Sequence, residues 1–164
     1  MKLNILKTAD EVLASLAEFF AKTAKEAIKK NDRFTVALSG GSSPKKLHEL
    51  LVSDYHNKVE WNKVWFFFGD ERYVPQTHPD SNYLMAKTAL FDPLHISSSN
   101  IFAFDTSLSP AESAEKYEQE IEQFFDEDEL SFDLILLGLG DNSHTASLFP
   151  FTPVLHDRTP GVKE

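Results

Sequence analysis

Three short strings hold the residues best suited to chemistry. The first closes the run Asp133-Leu134-Ile135-Leu136-Leu137-Gly138-Leu139-Gly140-Asp141-Asn142-Ser143-His144, in which an apolar stretch stops at glycines and presents one histidine. Imidazole changes charge near neutral pH, so His144 is suited to take a proton from water and create a nucleophile for a carbonyl carbon. The second string, Ser39-Gly40-Gly41-Ser42-Ser43-Pro44, is small and rich in hydroxyls. Between a strand and a helix it would offer a phosphate Gly40, Gly41, Ser42 and Ser43 through unpaired N–H groups, hydroxyls and the positive helix end. The third, Asp70-Glu71-Arg72, sets two acids beside a cation. Arg72 could clamp phosphate bidentately or pair internally with Asp70 or Glu71. Asp70 is expected to orient a hydroxyl or a neighbouring histidine, and Glu71 to point away.

Spacing excludes other readings. The glycine string fits neither Gly-x-Gly-x-x-Gly nor Gly-x-x-x-x-Gly-Lys-Ser/Thr, so dinucleotide and P-loop sites fail. Asp70 and Glu71 are adjacent and would point to opposite faces of an extended backbone, which does not make a glycosidase pair. Ser147 lacks a Gly-x-Ser-x-Gly elbow, so it and Thr145 read as helix-start or hydrogen-bonding groups. His48, His56, His78, His95 and His156 show no metal-ligand spacing and read as surface or structural residues. With no cysteine in the chain, disulfides, thiolates and cysteine zinc sites drop out, and no metal or cofactor is expected.

The net charge of −10 argues against a nucleic-acid partner. Its distribution is local: residues 112 to 133 hold ten acids (Glu112, Glu115, Glu118, Glu120, Glu122, Asp126, Glu127, Asp128, Glu129 and Asp133) against Lys116 alone, leaving −1 elsewhere. Such a run reads as a solvated helix face, with an acidic partner-binding tail as the other reading. Neither a membrane-length apolar run nor a secretory leader is visible, so the expectations are no membrane association, a cytoplasmic setting and one domain in 164 residues.

The elements that must position these groups alternate. Thr8-Ala9-Asp10-Glu11 has capping-box spacing ahead of a helix running to Asn31. Arg33 to Leu38 reads as a strand, with Ser43-Pro44 opening the next helix. Val64 to Phe68 is a second strand, followed by a short helix from Asp80 or Ser81. Ile101 to Phe104 is a short strand candidate, Ser109-Pro110-Ala111-Glu112 caps another helix, and Leu134 to Leu137 is the last strand. This order predicts an α/β fold with a mostly parallel sheet flanked by helices. All three strings then fall at carboxyl ends of strands and converge on one cleft.

His144-Thr145-Ala146-Ser147-Leu148-Phe149-Pro150 closely resembles the 6-phosphogluconolactonase family, whose usual string is Gly-x-Gly-Pro-Asp-Gly-His-Thr-Ala-Ser-Leu-Phe-Pro. Ala37 to Pro44, Phe68 to Pro75 and Asp80-Ser81-Asn82-Tyr83 agree in the family's order. Asp141-Asn142-Ser143 departs from the common Pro-Asp-Gly, so no role is carried over from that aspartate. The resemblance implies a Rossmann-like sheet similar to those of glucosamine-6-phosphate deaminases and ribose-5-phosphate isomerases. It also implies hydrolysis of 6-phospho-D-glucono-1,5-lactone, with a small sugar-phosphate lactone as the partner of a monomer or weak homodimer. His144 and Asp70 would be the catalytic residues, and Gly40, Gly41, Ser42, Ser43 and Arg72 the phosphate-binding ones. A deaminase or isomerase of the same fold, a non-catalytic sugar-phosphate-binding module and a purely structural protein are the alternatives. Because the family has further strands and helices, the chain is expected to be incomplete at its C-terminus, with an exposed sheet edge that favours self-association.

Overall fold

The computed structural model describes residues 3–126 and 130–164; Met1, Lys2 and the acidic Glu127, Asp128 and Glu129 lie outside the described residues. Helix α1 (Ala9–Asn31) starts where the capping spacing places it. Thr8 Oγ1 accepts from Glu11 N at 3.2 Å, and the Glu11 carboxylate accepts from Lys7 N at 2.8 Å. Asp32 ends the helix with a left-handed φ of 57°. Strand β1 (Phe34–Leu38) leads through the glycine string into helix α2 (Ser42–Tyr55), and a 3-10 turn at Trp61–Lys63 enters strand β2 (Val64–Phe68). Helix α3 (Asn82–Ala86), capped by Ser81, runs on into a π-helical turn at Lys87–Phe91. Helix α4 (Pro110–Phe125) carries the full capping box of Ser109 and Glu112 with proline in its first turn. Among the described residues no helix is long and apolar enough to cross a membrane.

Strands β1, β2 and β3 (Leu134–Ile135) form a parallel sheet in the order β2-β1-β3, the α/β architecture expected from the alternation. The period of two along each strand divides the core. Phe34, Val36 and Leu38 of β1 and Val64, Phe66 and Phe68 of β2 pack with Phe20 and Ala24 of α1, Leu47 and Leu51 of α2, and Leu90 and Phe91 of the π turn. Ala37 and Phe67 join Tyr117, Ile121 and Phe125 of α4 in a second cluster. Helices on both faces explain why β1 and β2 are nearly all apolar. The outer surface of α4 carries Glu112, Glu115 and Glu122 as exposed residues, matching a solvated acidic face. Asp133 departs from that face: its Oδ2 accepts from Thr35 N at 2.8 Å and Thr35 Oγ1 at 2.9 Å, stapling the entry to β3 onto β1.

The third and fourth strand expectations change. Ile101 to Phe104 reduces to a single parallel bridge between Ile101 and Phe66. Beyond it the aromatic side chains take over: Phe102 stacks on Phe67 at 4.6 Å and Phe104 lies 3.9 Å from the Tyr117 ring, centroid to centroid. Strand β3 has two residues, although Leu136 N still bonds to Ala37 O at 2.9 Å. The apolar run through β3 has one open face: Leu136 is buried, whereas Ile135, Leu137 and Leu139 are 52%, 63% and 81% exposed. Hydrophobic composition records what a strand is made of, not whether a neighbour covers it.

Tyr117 completes the end of β2. Its hydroxyl accepts from Phe68 N at 2.7 Å and donates to Phe68 O at 3.1 Å, doing what a neighbouring strand would do. Burial pushes this hydroxyl above the ordinary tyrosine range and keeps it protonated, as the donated bond requires. Tyr117→Phe strands a buried N–H and C=O one residue before Gly69, and is expected to destabilise the fold by about 1–3 kcal/mol in urea unfolding. An unchanged midpoint would show that water replaces the hydroxyl without loss.

Candidate active site

The glycine string becomes a helix start through Gly41. Its φ of 106° is open to glycine and strained for other residues, and it makes Gly41 the N-cap of α2. The helix therefore begins at Ser42, two residues earlier than Ser43 as N-cap and Pro44 as first helical residue would place it, with Pro44 inside the first turn, where its missing N–H costs nothing. Ser42 and Ser43 thus hold first-turn N–H groups, which an α-helix leaves without intrahelical partners and which carry the positive end of its dipole. Gly69 N donates to Leu38 O at 2.9 Å, so the segments that follow β1 and β2 leave the sheet side by side.

The segment after β3 fixes the histidine ring from three directions. His144 Nδ1 hydrogen-bonds to Asn142 Oδ1. An amide oxygen only accepts, so this contact favours the neutral tautomer with the proton on Nδ1 and the lone pair on Nε2. Phe149 stacks on the imidazole, with centroids 4.6 Å apart and planes 21° apart. On another side is Gly140, where an added Cβ would lie 2.1 Å from His144 Cε1. Gly140 N also donates to His144 O at 2.8 Å.

Ser143 has a φ of 67° at the position where the related string carries glycine, and Ala146 has a φ of 48°. Left-handed backbone costs a side-chain-bearing residue roughly 1–2 kcal/mol. Ser143→Gly is therefore expected to raise stability by up to about 1 kcal/mol after the added chain entropy of glycine is counted, read as a Tm increase. A fall in Tm would show that the serine side chain supports this backbone.

All seven residues singled out from the sequence meet here. Gly40, Gly41, Ser42, Ser43, Asp70, Arg72 and His144 line one cleft of about 320 Å³, together with Gly138 and Ala146. Asp70 takes the hydroxyl rather than the histidine: its Oδ2 accepts from Ser147 Oγ at 2.7 Å. No helix starts at Thr145 or Ser147; Thr145 bridges to Leu148 in antiparallel fashion, leaving Ser147 to reach across to Asp70. Arg72 is exposed at the rim, and among the described residues it forms no ion pair with Asp70 or Glu71.

Sequence reasoning missed the residues that hold this arrangement. Asn142 and Phe149 set the imidazole, and no spacing rule marks an amide or a ring for that task. Glu71 turns to the start of α3 and Asn82 lies against Gly40; Asp80-Ser81-Asn82-Tyr83 was visible as a shared string without an assigned role.

Residues 7–163 match the family described as Glucosamine-6-phosphate isomerases/6-phosphogluconolactonase. A 6-phosphogluconolactonase of Nostoc sp. is 45% identical over 159 residues, covering 94% of this chain and 65% of the relative. One of Synechocystis sp. is 46% identical over 134 residues, covering 79% of this chain and 55% of the relative. The solved 6-phosphogluconolactonase from Trypanosoma brucei superposes with a TM-score of 0.80 at 30% identity, over 92% of this chain and 64% of that one. The chain thus spans less than two thirds of the length of these relatives. With the match running through all three strings of the cleft, the chain belongs to the glucosamine-6-phosphate isomerase/6-phosphogluconolactonase family.

Proposed function

We propose that this chain hydrolyses 6-phospho-D-glucono-1,5-lactone to 6-phospho-D-gluconate, the lactone-opening step of the oxidative pentose phosphate pathway. One observation carries the reading: His144, its Nδ1 turned to the Asn142 amide oxygen, shares a cleft with the first turn of α2 and with Arg72. In this reading the phosphate sits on Gly40, Gly41, Ser42 and Ser43, with Arg72 adding a bidentate charge contact. His144 Nε2 takes a proton from water as the oxygen attacks C1, and N–H groups of the lining loops hold the tetrahedral oxyanion. When the C1–O5 bond breaks, the same imidazolium returns the proton to the leaving ring oxygen, so no covalent enzyme intermediate forms. Asp70 is a positioning residue whose bond to Ser147 ties the loop after β2 to the histidine loop. The setting proposed is cytoplasmic, for a monomer or weak homodimer.

The test is hydrolysis of freshly generated lactone by the 164-residue chain, with spontaneous ring opening subtracted. Acceleration supports the reading. Binding of 6-phosphogluconate without acceleration indicates a binding module, and no binding by folded protein overturns both.

A further inference from the structure

Glu71 lies between two residues of the cleft but belongs to a different set of contacts. Its Oε1 accepts from Asn82 N at 2.7 Å and Arg72 N at 2.8 Å, while its Oε2 accepts from Tyr83 N at 2.9 Å and Ser81 Oγ at 3.2 Å. The carboxylate is thus occupied by the start of α3 and by its own loop, and is not spent on the Arg72 guanidinium. Asn82 is 4% exposed and touches both phosphate-side loops. Its Nδ2 donates to Asp70 O at 3.0 Å. Its Oδ1 stands where a Cβ on Gly40 would come within 2.0 Å, so Gly40 is a glycine because Asn82 is there. Behind this contact the helix is anchored in the core by Ala86, Leu90 and Phe91.

We propose that Asn82 and Glu71 form a joint that fixes the distance between the glycine loop and the Asp70–Arg72 loop, and so decides whether a phosphate whose sugar is held in the cleft can meet both at once. They are positioning residues: neither lines the cleft, and both act through residues that do. The identity of the tethered ligand, 6-phosphogluconate, rests on the lactonase reading; the joint itself rests on the contacts of Asn82 and Glu71. Free phosphate can shift with the glycine loop when the two loops move apart, and is nearly indifferent to the joint. The phosphate of a sugar held elsewhere in the cleft cannot shift in this way, so its hold on both the start of α2 and Arg72 depends on the joint.

The test compares inorganic phosphate with 6-phosphogluconate on the full chain by titration calorimetry, for wild type, Asn82→Ala and Glu71→Gln. Glu71→Gln keeps the shape of the side chain but turns a donor toward one of the N–H groups it must accept from. Both variants are expected to weaken 6-phosphogluconate about tenfold while leaving phosphate within about twofold, a split that general loosening of the fold would not produce. Equal losses for both probes, or no loss for either, overturn the proposal.

A second arm needs no ligand. Gly40→Ala should lower Tm by roughly 3–10 °C in the wild type and by far less in Asn82→Ala, where the colliding amide is gone. Additive effects overturn the joint. If wild type fails to bind 6-phosphogluconate, the lactonase reading falls and this stability cycle still decides whether Asn82 couples the loops.

Discussion

His144→Ala is expected to slow enzymatic lactone hydrolysis by roughly 10²–10⁴-fold, the range supplied by one well-placed general base, while 6-phosphogluconate binding changes little. The reason is local. Nδ1 is held by Asn142 and the ring by Phe149, so only Nε2 is left to meet water, and alanine removes that base without touching the start of α2 or Arg72. Gly140→Ala provides the complementary perturbation: its methyl group needs space that the imidazole fills, with Nδ1 only 2.2 Å from the added atom, so turnover should fall although His144 remains. Initial rates on fresh lactone, corrected for spontaneous opening, measure both. Full activity of folded His144→Ala would remove the histidine from the mechanism and leave the phosphate-binding part of the reading standing alone.

The sequence made the site legible because its components are punctuated by residues with few structural options. Gly41 adopts a φ of 106°, and the apolar-to-glycine transition at Leu137-Gly138 falls shortly after β3 ends at Ile135. The starts of α1 and α4 were equally readable, since Thr8 with Glu11 and Ser109 with Glu112 satisfy backbone donors by themselves, whereas the start of α2 depends on the φ of Gly41. The length and coverage of β3 were not legible. Asp133 replaces a ladder bond with a carboxylate, and the exposed Ile135 and Leu137 are indistinguishable by type from the buried Leu136. The same limit hid Asn82, whose importance lies in what it touches, Gly40 and Asp70, rather than in any periodic pattern. Polar residues that join loops distant in sequence are specified by the tertiary fold, and no local spacing announces them.

Acid is expected to destabilise the protein between about pH 6.5 and pH 4 through His48. This residue of α2 is 0% exposed, and among the described residues neither ring nitrogen has a hydrogen-bond partner. Burial lowers its pKa from 6.5 to about 4, so it stays neutral in the folded protein where the unfolded chain would already be charged. Above pH 6.5 both states are neutral and the group adds no pH dependence. As pH falls below 6.5 the unfolded state takes up a proton that the folded state refuses, so stability declines until both are protonated below about pH 4. The full loss corresponds to about 3 kcal/mol, or a Tm decrease of roughly 6–12 °C for a domain of this size. Three carboxylates among the described residues are lowered as well: hydrogen bonds from Lys116 and Ser107 take Asp105 to about 2, those from Ser109 lower Glu112, and those from Thr159 and Lys163 lower Asp157. Their contributions are present above their ordinary values of 3.8 for the aspartates and 4.5 for Glu112 and are lost as pH falls below them, so only Glu112 overlaps the lower edge of the histidine window. His48→Leu, similar in size and without orphaned nitrogens, is expected to be more stable than wild type at neutral pH and to lose most of the slope between pH 6.5 and pH 4. Urea midpoints for the two proteins at pH 7.5, 5.5 and 4.5 test this directly, and parallel curves would assign the acid sensitivity to other groups. The same helix carries Ser42 and Ser43 at its first turn, so acid loosening of α2 should weaken inorganic-phosphate binding in wild type more than in His48→Leu.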